Sequence, residues 1–572
     1  MSAGAAHDAR RRIDGRAWLA LAALLLLVPS LGAIGLWAPD EPRAAAVARE
    51  MFEMHHGPSG LVLLHLNREA YTEKPPLYYW LVSAASLVPG EVTEWSARLP
   101  SMLAGLATLA LTVAFGTRLL GLRTALLGAA LLLTTFKFAH LARRVQFDVL
   151  LTAFELGALW SFWRIDRGLG SASRNRLAAH ACMSLALLTK GPVGFLIPVL
   201  GFGTYLAVEG RLRDLRRAFS APALALSLGP IGLWLAAAVA LAPPGFFGET
   251  VGGGLISRFF SGTSHARPVY YFLYQFPVEF LPWCLLWPAV FWAARRRVFV
   301  DGADPERRRA WRFLLVQVGV SFVFFSISAG KRGLYLLPCF PATALLCADA
   351  LEALLAGRAR PPRALSIGAA LAAAALIGVA AYFGLHRDAE VAGAELPLAF
   401  LVLLVVAPLL AAAAWIACVR SGRTARVAWV AVACAWTIEL GVFQGLYPAL
   451  DGIRSMKPVA RAALRWLPPD AHVALLGSES MIGGLQYYAE RPVDWVDDIE
   501  DLPAWLDAGG TSIVMEAKKL PKVREWVDVT VLERLREGER ELVVVRPSRP
   551  GEAGRPAPPP GPSRVETGNP RG

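Results

Sequence analysis

Residues 10–43 read RRRIDGRAWLALAALLLLVPSLGAIGLWAPDEPR. Four arginines (Arg10, Arg11, Arg12, Arg16) precede an apolar run over residues 17–36, and the acidic pair Asp40–Glu41 follows directly. A run of about 20 residues is long enough to span a bilayer, whereas the apolar part of a signal peptide holds about 7–15. The reading is therefore a retained first helix, anchored by arginine at one end and opening into carboxylates at the other. The same pattern recurs. Apolar windows begin near residues 17, 100, 124, 149, 177, 193, 219, 280, 312, 334, 364, 398 and 427, which predicts about 13 spans. The composition agrees: the 572 residues are 55% hydrophobic and only 18% charged, with a mean hydropathy of +0.44. A disordered chain, a secreted disulfide scaffold and an ordinary cytosolic enzyme are excluded. The six cysteines all lie within or beside apolar runs, so no CxxC pair is on offer.

Charge gives a topology. Arg118 and Arg123, then Arg164 to Arg176, Arg211 to Arg217, Arg295 to Arg297 with Arg307 to Arg309, Arg358 to Arg363, and Arg420 to Arg426 all fall on one side. The positive-inside rule makes that side cytoplasmic. An odd number of spans then leaves the N-terminus inside and the C-terminal region outside, with Arg143, Arg144 and Arg258 as exceptions. The net charge of +13 is thus mostly topological, and nothing points to nucleic acid. The eight lysines avoid the cytoplasmic segments: Lys74, Lys137, Lys190 and Lys331 sit in four outer ones. Ammonium is a compact point charge suited to phosphate.

Three parts follow. Residues 1–447 form the membrane domain, interrupted by a long outer loop at 37–99 and a second outer segment at 242–279. Residues 448–549 alternate like a small α/β domain: strands at 473–476, 512–515 and 541–545, helices at 481–490, 502–507 and 520–527. The Pro/Gly-rich tail from 550 to 572 cannot bury a core and is expected to be disordered. The glycines at 252–254 lack the Lys-Ser/Thr of a phosphate loop.

In the first outer loop, Val47, Met51 and Met54 fall at i, i+4 and i+7, which predicts a short amphipathic helix preceded by Asp40. Asp40 alone reads equally as a helix cap. Residues 71–80, YTEKPPLYYW, pack Glu73 and Lys74 against two prolines and four aromatics. Prolines stiffen the backbone and hold those charges in place, which an interfacial aromatic anchor does not require.

The DEPR of residues 40–43, the AREM of 48–51 and YTEKPPLYYW resemble the bacterial aminoarabinose transferases. These are a branch of the dolichyl-phosphate-mannose protein mannosyltransferase-like (GT-C) membrane glycosyltransferases. RRVQFD at 143–148, LTKGPVG at 188–194 and KRGLYLLP at 331–338 extend the resemblance, in the family order. It implies a GT-C-like polytopic helical fold with a C-terminal α/β extracytoplasmic domain. It also implies transfer of sugar from a polyprenyl (undecaprenyl) phosphate carrier to a lipid A-like lipid, glycan or protein, at the outer face of a bacterial inner membrane. Ala44, where the family often has an aromatic, and the stretch 55–64 depart from the pattern.

By this resemblance Asp40, Asp148 and Glu73 are the candidate catalytic carboxylates, with inversion at the anomeric carbon. Lys74, Lys190, Arg258, Lys331 and Tyr335 are candidates for holding the lipid phosphate, which must be met at the membrane surface because its apolar tail cannot leave the bilayer. Glu41, Arg43, Tyr71 and His265 are assigned to the acceptor side and its loops. Asp148 also reads as a helix start paired with Arg144. No cofactor is singled out; a divalent metal stays open, with Glu73, His55, His56 and His65 as candidate ligands whose spacing matches no zinc signature. The competing function is a carrier moving lipid-linked sugar across the membrane, although transporters tend to show repeated halves. A membrane scaffold ranks last because it leaves the EKPP cluster without purpose.

Overall fold

The computed structural model describes residues 15–248, 266–299, 304–356, 361–386, 390–391, 394–468 and 471–548. Arg258, His265, the glycines at 252–254 and the tail from residue 550 lie outside these. Most described residues are helical, and each of the thirteen expected starts falls on or beside a helix. Among the described residues seven helices are long and apolar enough to cross a membrane, or nine if two bent pairs, Leu122–Leu133 with Phe136–Ala142 and Tyr271–Glu279 with Trp283–Phe299, each count as one. Of the other expected spans, Gly15–Leu27 (α1) and Val193–Val208 are short. Phe147–Asp166 and Ala172–Lys190 carry several charges. The chain is a multi-pass helical membrane protein.

The first helix is shorter than the apolar run suggests. α1 stops at Leu27, ahead of Pro29, and the chain then turns through residues 28–35 before reaching Asp40. Two arginines take up the carbonyls that such a stretch leaves unpaired near a membrane. Arg143 donates to the carbonyls of Leu26, Leu27 and Pro29 at 2.7–2.9 Å. Arg98 donates to those of Leu31, Ile34 and Gly35 at 2.6–2.8 Å. One exception to the charge rule, Arg143, is thus structural: with Arg98 it seals the irregular turn that sets the first outer loop on the helices.

That loop contains the helix Asp40–Phe52 (α2), whose Val47 and Met51 are buried as the periodicity predicts, while Met54 lies beyond the helix end and is exposed. A small hairpin follows. His65–Leu66 (β1) pairs antiparallel with Glu69–Ala70 (β2), joined by Asn67 and Arg68 at φ 56° and 68°. Both central residues being left-handed is the geometry of a two-residue hairpin turn, which Asn tolerates well. The spans Glu94–Leu120 (α3), Phe147–Asp166 (α4) and Ala172–Lys190 (α5) pack beneath it.

The C-terminal domain is a five-stranded mixed sheet. Its strands are Val473–Leu476 (β3), Val493–Val496 (β4), Ile513–Glu516 (β5), Asp528–Glu537 (β6) and Arg540–Ser548 (β7), in the order β4-β3-β5-β7-β6. β3 runs parallel to β4 and β5; β7 is antiparallel to β5 and β6, with a bulge between Val531 and Glu533. Alternate residues fill two cores. Val473, Leu475, Val514 and Val544 face one side, with Ile482 and Leu485 of helix Ile482–Ala489 (α6); Ala474, Leu476, Ile513 and Met515 face the other.

The domain is fastened to the loop. An added Cβ at Gly483 of α6 would meet the Cα of Arg43 at 2.5 Å, so glycine permits that approach. The Asn67 amide donates to the carbonyl of Val493 and accepts from its N–H, both at 2.8 Å. It thereby occupies the outer edge of β4.

Candidate functional site

Asp40 and Glu41 are adjacent on α2, and helical geometry sends adjacent side chains about 100° apart. Their fates are opposite. Glu41 turns inward, onto the face it shares with Ala44, Ala45 and Ala48. There it accepts from Arg98 Nε and Nη2 at 2.9 Å, from the N–H of Trp37 at 2.9 Å and from the N–H of Val145 at 2.8 Å. Arg144 closes the cluster at 3.0 Å. Burial alone would raise the Glu41 carboxyl, but the two guanidinium groups and these donors outweigh it and hold it down at about 2. Glu41, expected on the acceptor side, is a structural anion within the protein. Arg144 is likewise committed to Glu41 rather than to Asp148.

Asp40 turns the other way, into a cleft whose lining includes Arg43, Lys74, Asp148, Lys190, Arg332 and Tyr335. It does not cap its helix; Pro39 occupies that position, with no side-chain bond. Its Oδ1 accepts from Arg43 Nη2 at 2.8 Å and its Oδ2 from Arg332 Nη2 at 2.7 Å. Burial pushes this carboxyl up, but Arg332, Arg43 and Lys74 together bring it below its ordinary value. Asp40 is therefore ionised at neutral pH, with one arginine on each oxygen.

Glu73 stands one step behind. Its Oε1 accepts from Arg43 Nη1 and its Oε2 from the Tyr71 hydroxyl, each at 3.2 Å. Arg43 is thus gripped by two carboxylates, and Tyr71 and Glu73 orient it. Lys74 lies 5.4 Å from the centroid of the Phe147 ring. Across the cleft, Asp148 at the start of α4 pairs with Lys190 at the last residue of α5. The Lys190 ammonium also sits 4.4 Å over the ring of Tyr335. Three helix ends and two loops thus bring four cations, two carboxylates and three phenols to one cleft.

Other expected residues are elsewhere. The Lys331 ammonium donates to the carbonyls of Arg267 and Ser328, turned away from the cleft. The neighbouring Arg332 lines the cleft instead; the scarcity of lysine, the signal that singles out Lys331, says nothing of the arginine beside it. His56 stacks on His65 at 3.6 Å and contacts Glu50 at 3.0 Å, while His55 pairs with Glu53 at 2.9 Å. Among the described residues no three His, Cys, Asp or Glu side chains gather as metal ligands would, and Glu73 is engaged by Arg43 and Tyr71. Arg258 and His265 lie outside the described residues.

Comparison with known proteins gives the fold. Residues 17–241 match the family described as dolichyl-phosphate-mannose-protein mannosyltransferase. The chain is 31% identical over 341 residues to an undecaprenyl phosphate-alpha-4-amino-4-deoxy-L-arabinose arabinosyl transferase of Pectobacterium carotovorum subsp. carotovorum, covering 58% of this chain and 57% of that one. It is 30% identical over 357 residues to the enzyme of that name from Pseudomonas savastanoi pv. phaseolicola, covering 61% and 63%. The chain thus spans less than two thirds of the length of these curated relatives. The crystal structure of ArnT from Cupriavidus metallidurans bound to undecaprenyl phosphate superposes with a TM-score of 0.73 at 23% identity, covering 92% of this chain and 97% of that one. The archaeal oligosaccharyltransferase AglB of Archaeoglobus fulgidus gives 0.51 at 12% identity, over 88% and 69%. The chain has the ArnT-like GT-C fold.

Proposed function

We propose that the protein is an inverting glycosyltransferase that moves a sugar from undecaprenyl phosphate to a lipid A-like lipid, glycan or protein. The observation that carries this is the cleft itself: an ionised carboxylate, Asp40, held opposite Lys190, Lys74, Arg332 and Tyr335. The acceptor oxygen attacks the anomeric carbon as the carbon–phosphate oxygen bond breaks. The electron pair leaves on the polyprenyl phosphate, whose charge the lysines and arginine stabilise. Where the acceptor is a hydroxyl, its proton passes to Asp40; where it is an anionic phosphate, Asp40 orients it. Asp148 keeps the Lys190 ammonium over Tyr335, beside the position of the departing phosphate.

We place the N-terminus in the cytoplasm and the cleft with the sheet domain on the periplasmic side of a bacterial inner membrane. The one-sided arginine segments support this, as do their mutual pairs, Arg211 with Asp166 at 2.7 Å and Arg167 with Glu306 at 2.7 Å. The test uses purified protein in vesicles with a sugar-labelled undecaprenyl phosphate and lipid A. Label should reach the acceptor with the wild type and not with Asp40→Asn, which should fold normally. Movement of the lipid across the vesicle without sugar transfer would instead identify a carrier.

A further inference from the structure

We propose that Arg332 is a positioning residue that keeps Asp40 masked until the donor phosphate arrives, so that donor binding unmasks the carboxylate for the acceptor. The inference rests on the glycosyl-transfer reading above and adds an order of binding to it.

The two guanidinium groups on Asp40 are not equivalent. Arg43 lies three residues away on the same helix and its other end is fixed by Glu73. Arg332 comes from 292 residues away, and among the described residues Asp40 is its only ion-pair partner. Its side chain is about one-third exposed (36%) and lines the cleft beside Lys190 and Tyr335. The Arg332 side chain is thus anchored at its tip by one carboxylate oxygen and is otherwise open to the space a phosphate would fill.

Its backbone, by contrast, is pinned on both sides. Lys331 is tied to two backbone carbonyls. Gly333 lies so close to Glu279 that a Cβ there would overlap the carboxylate. Glu279 is itself held by Lys137 at 3.0 Å and Gln275 at 2.7 Å. A fixed backbone carrying a singly anchored guanidinium is a pivot.

A phosphate competes well for that pivot. It offers the guanidinium fork two parallel acceptors, and the oxygen on Asp40 offers one. When Arg332 turns to the phosphate, Oδ2 of Asp40 loses its guanidinium donor, while Arg43 still holds Oδ1. The acceptor's hydroxyl then meets an unmasked oxygen. In the empty site the carboxylate stays masked, so acceptor engagement follows donor binding.

Binding of undecaprenyl phosphate alone, without sugar, to full-length protein in nanodiscs tests this. It is measured for the wild type, Asp40→Asn, Arg332→Gln and the double variant. A neutral amide in place of the carboxylate competes poorly for the guanidinium, so Asp40→Asn should bind at least about threefold more tightly, and Arg332→Gln more weakly. In the Arg332→Gln background the Asp40→Asn gain should vanish, because the guanidinium to be released is gone and Arg43 stays tied to Glu73. A gain that persists there would reflect only the removed negative charge and would overturn the masking role, as would no gain in Asp40→Asn alone. Arg332→Lys, which keeps the charge and loses the fork, should fall between wild type and Arg332→Gln and guards against misfolding as the cause. Failure of the folded wild type to bind the lipid would sink the glycosyl-transfer reading, and this inference with it.

Discussion

Replacing Glu41 by Gln keeps the shape of the side chain and removes its charge, and the structure sets the cost. Five donors converge on this carboxylate: two N–H groups of Arg98, one of Arg144 and the backbone N–H groups of Trp37 and Val145. Arg98 and Glu41 are almost completely buried, at 0% and 3% exposure. Holding the carboxyl at about 2 rather than 4.5 corresponds to about 3 kcal/mol of preference for the charged form. Leaving two buried guanidinium groups without their anion gives a similar figure, about 3–5 kcal/mol. Glu41→Gln should therefore lose about 3–5 kcal/mol, read by unfolding in mixed micelles at increasing SDS with linear extrapolation. The sign with pH follows. A depressed folded-state pKa contributes stability above the unfolded value of 4.5, and that contribution is lost as pH falls toward about 2. The gap between wild type and variant should thus be full at pH 7 and shrink between pH 4.5 and 2. A loss below about 1 kcal/mol at pH 7, with transfer activity abolished, would refute the structural role and return Glu41 to the acceptor side.

Three further outcomes follow from the same geometry. Lys190→Ala leaves Asp148 buried without its cation, so the double change Lys190→Met with Asp148→Asn should be more stable than Lys190→Ala by about 1–3 kcal/mol; equal stability in SDS unfolding would mean the pair is not coupled. Gly333→Ala removes no charge, yet its Cβ would push against Glu279 and shift Arg332. Undecaprenyl phosphate affinity should drop by roughly tenfold or more, or about 1.4 kcal/mol, and wild-type affinity would show that the Arg332 backbone is not pinned. Asn67→Ala removes two 2.8 Å bonds to Val493; hydrogen exchange at β4 should quicken by an opening free energy of about 1–3 kcal/mol, and unchanged protection would show that the contact does not hold the domain.

Much of the membrane domain was legible because apolar length and arginine bias are written directly into the chain. What failed was where a helix stops: the apolar run at 17–36 continues past Leu27, and only Pro29 hints at the break. In the sheet domain, β3, β5 and β7 stand out as continuous Val/Leu/Ile runs buried on both faces. β4 and β6 were missed for opposite reasons. β4 is only four residues long and carries Asp494 and an exposed Trp495. β6, DVTVLERLRE, is an edge strand rich in charge, so its alternation is hidden. The site was read at the level of its loops, and Asp40, Lys74, Asp148, Lys190 and Tyr335 all meet at one cleft. The division of labour between Asp40 and Glu41 was not legible: both stand within one helical turn of Ala44, and only the distant Arg98 and Arg332 separate them. The pairing of Arg332 across 292 residues was not within reach, because no local pattern encodes it.

The single amide of Asn67 also decides how this protein is shielded from itself. β4 is an outer strand of an open sheet, and an uncovered row of backbone donors and acceptors is a template for pairing with any extended chain. Here a residue of the membrane half supplies the missing partner at Val493. The soluble half is therefore incomplete as a freestanding unit. Cut away from the loop, it would leave that edge uncovered, a template on which a second copy could pair.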